Sequence, residues 1–419
     1  MLSDYSLLLK KLRDHGRTVG HRYAVTSSGS ANWTGSLIEE ALLPLFSKPV
    51  LLAQTSAFGL QAIQAKTLLG TEVDLVLCDL STVNANALGA AVGAIRAGGL
   101  LFCWRSATQT SEQESNFSQF LLSTFRAASC IELQEGQALP NIEVLQGKPS
   151  NKQLFTPNGS VEQQVLIEKV HKVAMGRARR PLVVKADRGR GKSAGLGLAV
   201  RSLFNTVQDR SLTVLITAPR KTAVAPIFEH CPPSAWGRHK MLFIAPDELL
   251  RSKPEGSLLL VDEAAAIPVN VLEQLSLNYS RVVFSSTVHG YEGSGRGFEL
   301  RFKKRLDKIR PQWQEHLLHA PIRWSRGDPL EAVIAEGLLL KASIPQFGEQ
   351  ALSVDDKVVD TFKRLDSADI LVSEENRQLL AQAFALLVNA HYQTEPSDLQ
   401  TLLNETSQSL LLAIRNGDV

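Results

Sequence analysis

The sequence predicts an α/β protein of two parallel-sheet units in series, on three observations. Short apolar runs alternate with helical patterns over two separate stretches. A glycine-rich loop of phosphate-binding type follows one of the apolar runs and opens a helix. A polar stretch rich in Gly, Pro, Asn and Ser, GKPSNKQLFTPNGS (147–160), lies between the two and reads as a linker.

The bulk numbers agree with that frame. At 419 residues, two or three domains are expected. With 44% apolar and 21% charged residues the chain can bury a core, so disorder is not its general character. The net charge of +3 says little about partners, and its distribution says more. Cys78, Cys103, Cys130 and Cys231 are far apart with no C-x-x-C pair, which argues against a zinc site or a dense disulfide framework. The start, MLSDYSLLLKKLRDHG, reads as an amphipathic helix and not as a signal peptide. No apolar run approaches the roughly 18–20 residues that span a bilayer. A cytoplasmic protein without membrane contact is expected.

In the first unit, RYAVTSS (22–28), PVLLAQT (49–55), VDLVLCDL (73–80) and GLLFCWR (99–105) read as strands, and ALGAAVGAIRAGG (87–99) as a helix ending in glycines. Continuous apolar strands between helices imply a mainly parallel sheet covered on both faces. No phosphate loop follows any of these strands, so residues 1–148 are expected to form a docking domain without its own catalysis.

The pattern then restarts over 155–345. Helix VEQQVLIEKVHKVAM precedes strand PLVVKA, the phosphate loop and its helix. Strands LTVLITAP (212–219), MLFIAP (241–246), SLLLVDEA (257–264) and RVVFSST (281–287) follow. The tail differs. ENRQLLAQAFALLVNAHY (375–392) has helical spacing, and SDLQTLLN (397–404) a second helix with Ser397 or Asp398 as its cap. SLLLAIRNGDV (409–419) reads as a strand entering an Asn416-Gly417 turn, with no returning strand after it.

The chemistry concentrates in ADRGRGKSA (186–194). Gly189 and Gly191, with Arg190 between them and Ala194 after them in the loop, would let backbone N–H groups curl around phosphate oxygens, helped by the helix N-terminus. Lys192 would neutralise the terminal phosphates, and the Ser193 hydroxyl would ligate Mg²⁺. Ala186 stands where the usual pattern has its first glycine. Strand 258–261 ends in Asp262-Glu263, expected to hold Mg²⁺ and to polarise the attacking water respectively. The catalytic set is therefore Lys192, Asp262 and Glu263, the metal set Ser193 and Asp262, and the substrate ATP or GTP. Gln163 could bond an adenine edge or be a surface glutamine. Thr217 ends a strand that could face nucleic acid, and Ser286 and Thr287 could sense the γ-phosphate. GYEGSGRGF (290–298) could be a moving loop. From Arg296 to Arg326, nine Lys or Arg residues face three acidic ones, a composition suited to a phosphate backbone. Arg323 is a candidate to reach the nucleotide phosphates.

These residues resemble those of the bacterial tRNA(Met) cytidine acetyltransferase family. The likeness rests on ADRGRGKSA (186–194), FIAPDELL (243–250), VDEAAAIP (261–268), TVHGYEGSGRGF (287–298), and PIRW (321–324) with DPLE (328–331). It implies a Rossmann-like N-terminal α/β domain over 1–148. A P-loop RecA/RecD-like helicase domain would follow over 155–345. The incomplete beginning of a GNAT acetyltransferase domain would lie over 372–419, near AHYQTEPSDLQTLL (390–403). Members acetylate the N4 amine of the wobble cytidine of elongator tRNA(Met), using acetyl-CoA and ATP or GTP hydrolysis. By that resemblance Gln163 and the loop 189–198 would bind nucleotide, Arg323 would contact it, and tRNA would be the partner. No glycine-rich acetyl-CoA turn is legible between 372 and 419, so acetyl transfer is expected only of a longer parent. A nucleotide-gated tRNA-binding module without catalysis, and a free-standing RNA helicase, are the rival readings.

Overall fold

The computed structural model of the 419-residue chain describes residues 2–63, 68, 71–105, 115–128, 130–141, 159–287, 295–342, 361–390, 394–405, 407–414 and 419. The side chains of 295–300 and 389 are excepted. It divides into two compact units. One comprises 1–151 together with 324–419, and the other comprises 152–323.

The first unit opens with α1 (Leu2–Val19), whose Tyr5, Leu8, Leu9, Leu12, Gly16 and Val19 are buried at helical spacing. Then come β1 (Tyr23–Ser28), α2 (Ala31–Ser36), β2 (Pro49–Leu52), β3 (Val73–Asp79), α3 (Ala85–Ala94), β4 (Ile95–Trp104), α4 (Asn116–Ala127) and β5 (Ile131–Gln134). The strands form one parallel sheet in the order β2-β3-β4-β1-β5. Alternation along each strand fills both faces. Leu75, Leu77, Leu100 and Phe102 join the core that includes α1. Val76, Cys78, Leu101 and Cys103 join the core that includes α3 and α4. The expected helix over 87–99 stops at Ala94, and Ile95 already belongs to β4. At the end of β1, Glu135 accepts from the backbone and hydroxyl of Ser30, the cap of α2. The chain thus places its own carboxylate at this turn.

The second unit contains α5 (Val161–Met175), β6 (Leu182–Ala186), α6 (Lys192–Thr206), β7 (Thr213–Thr217), α7 (Ala225–His230), β8 (Lys240–Phe243), α8 (Pro246–Ser252), β9 (Leu258–Val261), α9 (Val269–Asn278), β10 (Val282–Thr287), α10 (Gly295–Ile309) and β11 (Gln314–Leu318). Its six strands are all parallel, ordered β11-β6-β10-β9-β7-β8. Val184, Val214, Ile216 and Leu260 pack in one core with residues of α5 and α6. Val183, Leu215, Leu259 and Phe284 pack in the other with residues of α8, α9 and α10. The order matters for function: β10 lies between the strand that leads into the phosphate loop and the strand that ends in Asp262.

The rest of the chain comprises α11 (Pro329–Gly337), β12 (Thr361–Asp366), α12 (Ser367–Ile370), α13 (Glu374–Ala390), α14 (Pro396–Asn404) and β13 (Ser409–Ile414). The sequence reading set 324–345 with the P-loop domain and 372–419 apart. In the structure both segments share a core with α3 and α4, through Leu330, Val333, Ile334, Leu379, Leu380, Phe384, Leu399 and Leu403. Arg22 anchors the first of them. It is 1% exposed, pairs with Asp328 at 2.9 Å, donates to the Val92 carbonyl at 2.7 Å, and lies 3.4 Å over the Trp324 ring. Gly20, at φ +79°, lets Ser325 approach: a Cβ there would meet the Ser325 Oγ at 2.1 Å. The tail anchors itself through the N-termini of two helices. The Gln400 carbonyl oxygen accepts from Ala85 N–H of α3, and that of Asn404 accepts from Phe117 N–H of α4. Two local expectations change here. The cap of α14 is Glu395, in a capping box with Asp398, instead of Ser397 or Asp398. Strand β13 has an antiparallel partner in β12, which precedes it. The Asn416-Gly417 turn lies outside the described residues. No described helix is long and apolar enough to cross a membrane.

Candidate nucleotide site

β6 is buried along its whole length and delivers the chain into the loop 187–191. Gly189 and Gly191 both take positive φ, +79° and +70°, and Gly191 is the left-handed cap from which α6 starts. That geometry lets successive backbone N–H groups line one concavity at a helix N-terminus. Ala186, in the place of a first glycine, is still in the strand, paired in register with Thr287 and Leu318. The loop is held from outside. Ile322 N–H donates to the Gly189 carbonyl at 2.9 Å. Glu162 accepts from the backbone of His319 and Ala320, which steadies the segment leading to Arg323. Arg323 is half-buried, one residue after that contact.

Lys192, at the first turn of α6, is buried and faces the end of β9. Its Nζ lies 2.8 Å from Glu263 Oε1 and 3.4 Å from Asp262 Oδ1. Burial pulls the ammonium pKa down, but the Asp262 and Glu263 charges outweigh it and hold the group above its ordinary value. Asp262 is fully buried. Its Oδ1 accepts from Ser285 Oγ at 2.6 Å and from Glu263 N–H at 3.0 Å. Its Oδ2 has no hydrogen-bond partner among the described residues. Glu263 sits at φ +47°, a left-handed conformation rare for a non-glycine residue. Its Oε2 accepts from Thr287 Oγ1 at 3.3 Å.

The structure therefore brings Lys192, Asp262, Glu263 and Thr287 together. Ser193 and Ala194 follow on the first turn of α6, half-buried and buried respectively. Arg190 is buried within the loop, 3.9 Å from Asp187. Gln163 adjoins the loop, with its amide engaged by the chain. Its oxygen accepts from Ser160 N–H at 2.9 Å, and its Nε2 donates to the Gly191 carbonyl at 2.9 Å. Thr217 is buried at the end of β7, where its carbonyl accepts from Asp262 N–H. Ser286 donates to the Thr287 carbonyl instead of to either carboxylate. Ser285 is the residue that sequence reasoning passed over. Strand alternation pairs it with Thr287 on one face of β10 and puts Ser286 on the other, and that signal was available. The segment 288–294, with most of the glycine-rich loop, lies outside the described residues, and so does the Arg296 side chain.

Charge, oxygen donors and an amide-lined turn at this spacing can hold an anionic phosphate group with a divalent cation and present a carboxylate to a water molecule. Comparison with known proteins gives the family to which this arrangement belongs. The family model described as RNA cytidine acetyltransferase NAT10/TcmA, helicase domain, matches residues 183–341. That described as tRNA(Met) cytidine acetyltransferase TmcA, N-terminal, matches residues 2–124. The TmcA of Vibrio cholerae is 37% identical across 99% of this chain and 58% of its own length. The TmcA of Nitrosococcus halophilus is 36% identical over 96% of this chain and 58% of its own. The TmcA of Haloferax volcanii is 31% identical over 85% and 53%. The chain thus spans less than two thirds of the length of these relatives. With both domain models matched in order and near-complete alignment to such relatives, the chain belongs to the tRNA(Met) cytidine acetyltransferase TmcA family.

Proposed function

We propose that this chain hydrolyses ATP or GTP to remodel RNA, as the helicase part of a tRNA(Met) cytidine acetyltransferase that makes N4-acetylcytidine at the wobble position of elongator tRNA(Met). The observation that supports it is one cluster, with Lys192 2.8 Å from Glu263 beside an Asp262 whose Oδ2 is buried and unpartnered. A buried carboxylate oxygen without a donor calls for a cation or a bound water. Mg²⁺ fits these residues, because Ser193 and Asp262 offer the hard oxygen ligands it prefers. When bound, Mg²⁺ neutralises charge on the phosphate oxygens.

The residues divide the remaining work. Backbone amides of Gly189, Arg190, Gly191, Ser193 and Ala194 cradle the phosphates, and Arg323 adds positive charge from the segment that braces the loop. Gln163 borders this cradle. Lys192 must change partners, leaving Glu263 for the terminal phosphates. That exchange frees Glu263, still bonded to Thr287, to accept a proton from the attacking water. On α10, the exposed Lys304 and Lys308, four residues apart, are offered to the tRNA backbone. Acetyl-CoA enters with the acetyl-transfer step, and none of the residues named above is assigned to it.

The test is phosphate release with and without tRNA. Glu263→Gln is expected to keep nucleotide affinity and to lose activity by about 10²–10⁴-fold, the range of a lost general base. Hydrolysis at the wild-type rate in that variant would refute the role of Glu263. Absence of any hydrolysis in the wild-type chain, with binding intact, would favour a non-catalytic, nucleotide-gated tRNA-binding module.

A further inference from the structure

Within the proposed nucleotide reading, on which this inference rests, we infer that Ser285 is a positioning residue that sets how Asp262 meets the metal. Asp262 has two carboxylate oxygens in different circumstances. Oδ1 is occupied by Ser285 Oγ at 2.6 Å, by Glu263 N–H at 3.0 Å and by Lys192 at 3.4 Å. Oδ2 is buried without a partner among the described residues. The hydroxyl bond therefore fixes the plane of the carboxylate and leaves one defined oxygen available.

Strand order explains why this residue can do so. β10 lies between β6 and β9, and Phe284 is in register with Val261. Residue 285 is then level with residue 262. The position is fully buried, so its hydroxyl is shielded from solvent. Thr287, two residues on and on the same face, repeats the arrangement for Glu263 at 3.3 Å. One strand face thus carries a hydroxyl for each carboxylate. The hydroxyl of Ser285 has no other bond among the described residues, so its orientation is committed to Asp262.

The experiment measures affinity for a fluorescent ATP analogue across a Mg²⁺ titration and in EDTA, in the full chain. Ser285→Ala and the nearly isosteric Ser285→Cys are expected to raise the Mg²⁺ concentration for half-maximal effect roughly tenfold, the scale of one hydrogen bond to a charged group. Affinity in EDTA should stay at the wild-type value. Ser285→Thr keeps the hydroxyl and should restore the Mg²⁺ dependence. A space-filling role would instead lower thermal stability and leave the Mg²⁺ titration in place. Wild-type Mg²⁺ dependence in both hydroxyl-free variants overturns the inference, and so does a threonine variant that behaves like alanine. Lys192→Ala separates the two claims. If it binds nucleotide as wild type does, the nucleotide site itself is misplaced and the role of Ser285 goes with it.

Discussion

Glu263 occupies a backbone region that L-residues avoid, and strain of this kind costs on the order of 1–3 kcal/mol unless neighbours enforce it. Here the enforcing contacts are the Asp262 carboxylate on its N–H, Lys192 on one oxygen and Thr287 on the other. Strain at this residue is consistent with a working position. Asp74 shows the same logic away from the site. Burial would raise its pKa, but the Ser47 hydroxyl and backbone, the Lys48 backbone and the Arg96 charge together hold it below the ordinary carboxylate range. A lowered folded-state value means stability that is present above the unfolded-state pKa and is lost as pH falls through the folded one. Asp74→Asn should therefore destabilise the chain at neutral pH by about 2 kcal/mol. It should also shrink the acid-side loss of stability seen in denaturation followed from pH 7 downward. An unchanged acid limb would show that Asp74 is not its source.

The helices α1, α3, α5, α6, α13 and α14 and most strands were legible because their patterns are strong, whereas helices such as α4, α8, α9 and α11 were not read. The apolar runs of 73–79, 182–186, 213–217 and 258–261 are strands, and the 161–175 pattern is α5. Three strands were missed, β5, β11 and β12, the last an exposed, mostly polar TFKRLD run. β5 is four residues long, and β11, QEHLL, is an edge strand whose polar start carries Glu315 into a pair with Lys185 and Lys303. Both lysines hold the Glu315 carboxyl down, against a burial that would raise it. That pairing also revises how the basic run is read, since Lys303 serves the fold and Arg310 donates to the Ser276 carbonyl. Of the site, the phosphate loop and the carboxylate pair were legible as motifs, whereas the role of Ser285 depended on strand order. On α10, Lys304→Glu with Lys308→Glu should weaken tRNA binding. It should also flatten the log–log salt dependence by about 0.7–0.9 per lost phosphate contact. Equal slopes for variant and wild type would remove this helix face from the interface.

What no local pattern announced is how the chain returns on itself. The sequence reading assigned no helix over 329–337, and nothing local in that segment tells that it packs against α3 and α4. The Arg22–Asp328 pair, stacked on Trp324, is fully desolvated, and removing one member leaves the other charge buried alone. Asp328→Ala is expected to cost about 3–5 kcal/mol in the first unit, seen as a lowered thermal midpoint. Replacing both, as Arg22→Met with Asp328→Leu, should recover most of that loss, because the desolvation penalty disappears with the charges. A double variant no better than the single one would mean that the pair's hydrogen bonds to the Val92 and Ile95 carbonyls dominate.

The discontinuity of the first unit bears on the order in which the molecule can be made. On the ribosome, β1 to β5 emerge first, yet α3 and α4 still lack the backbone partners supplied by Gln400 and Asn404. The whole of 152–323 must be synthesised before those partners exist. That second unit is contiguous and can close as soon as β11 has left the exit tunnel. Unit 152–323, although synthesised after β1 to β5, is therefore free to mature early, while the sides of α3 and α4 that the tail packs against must wait for it.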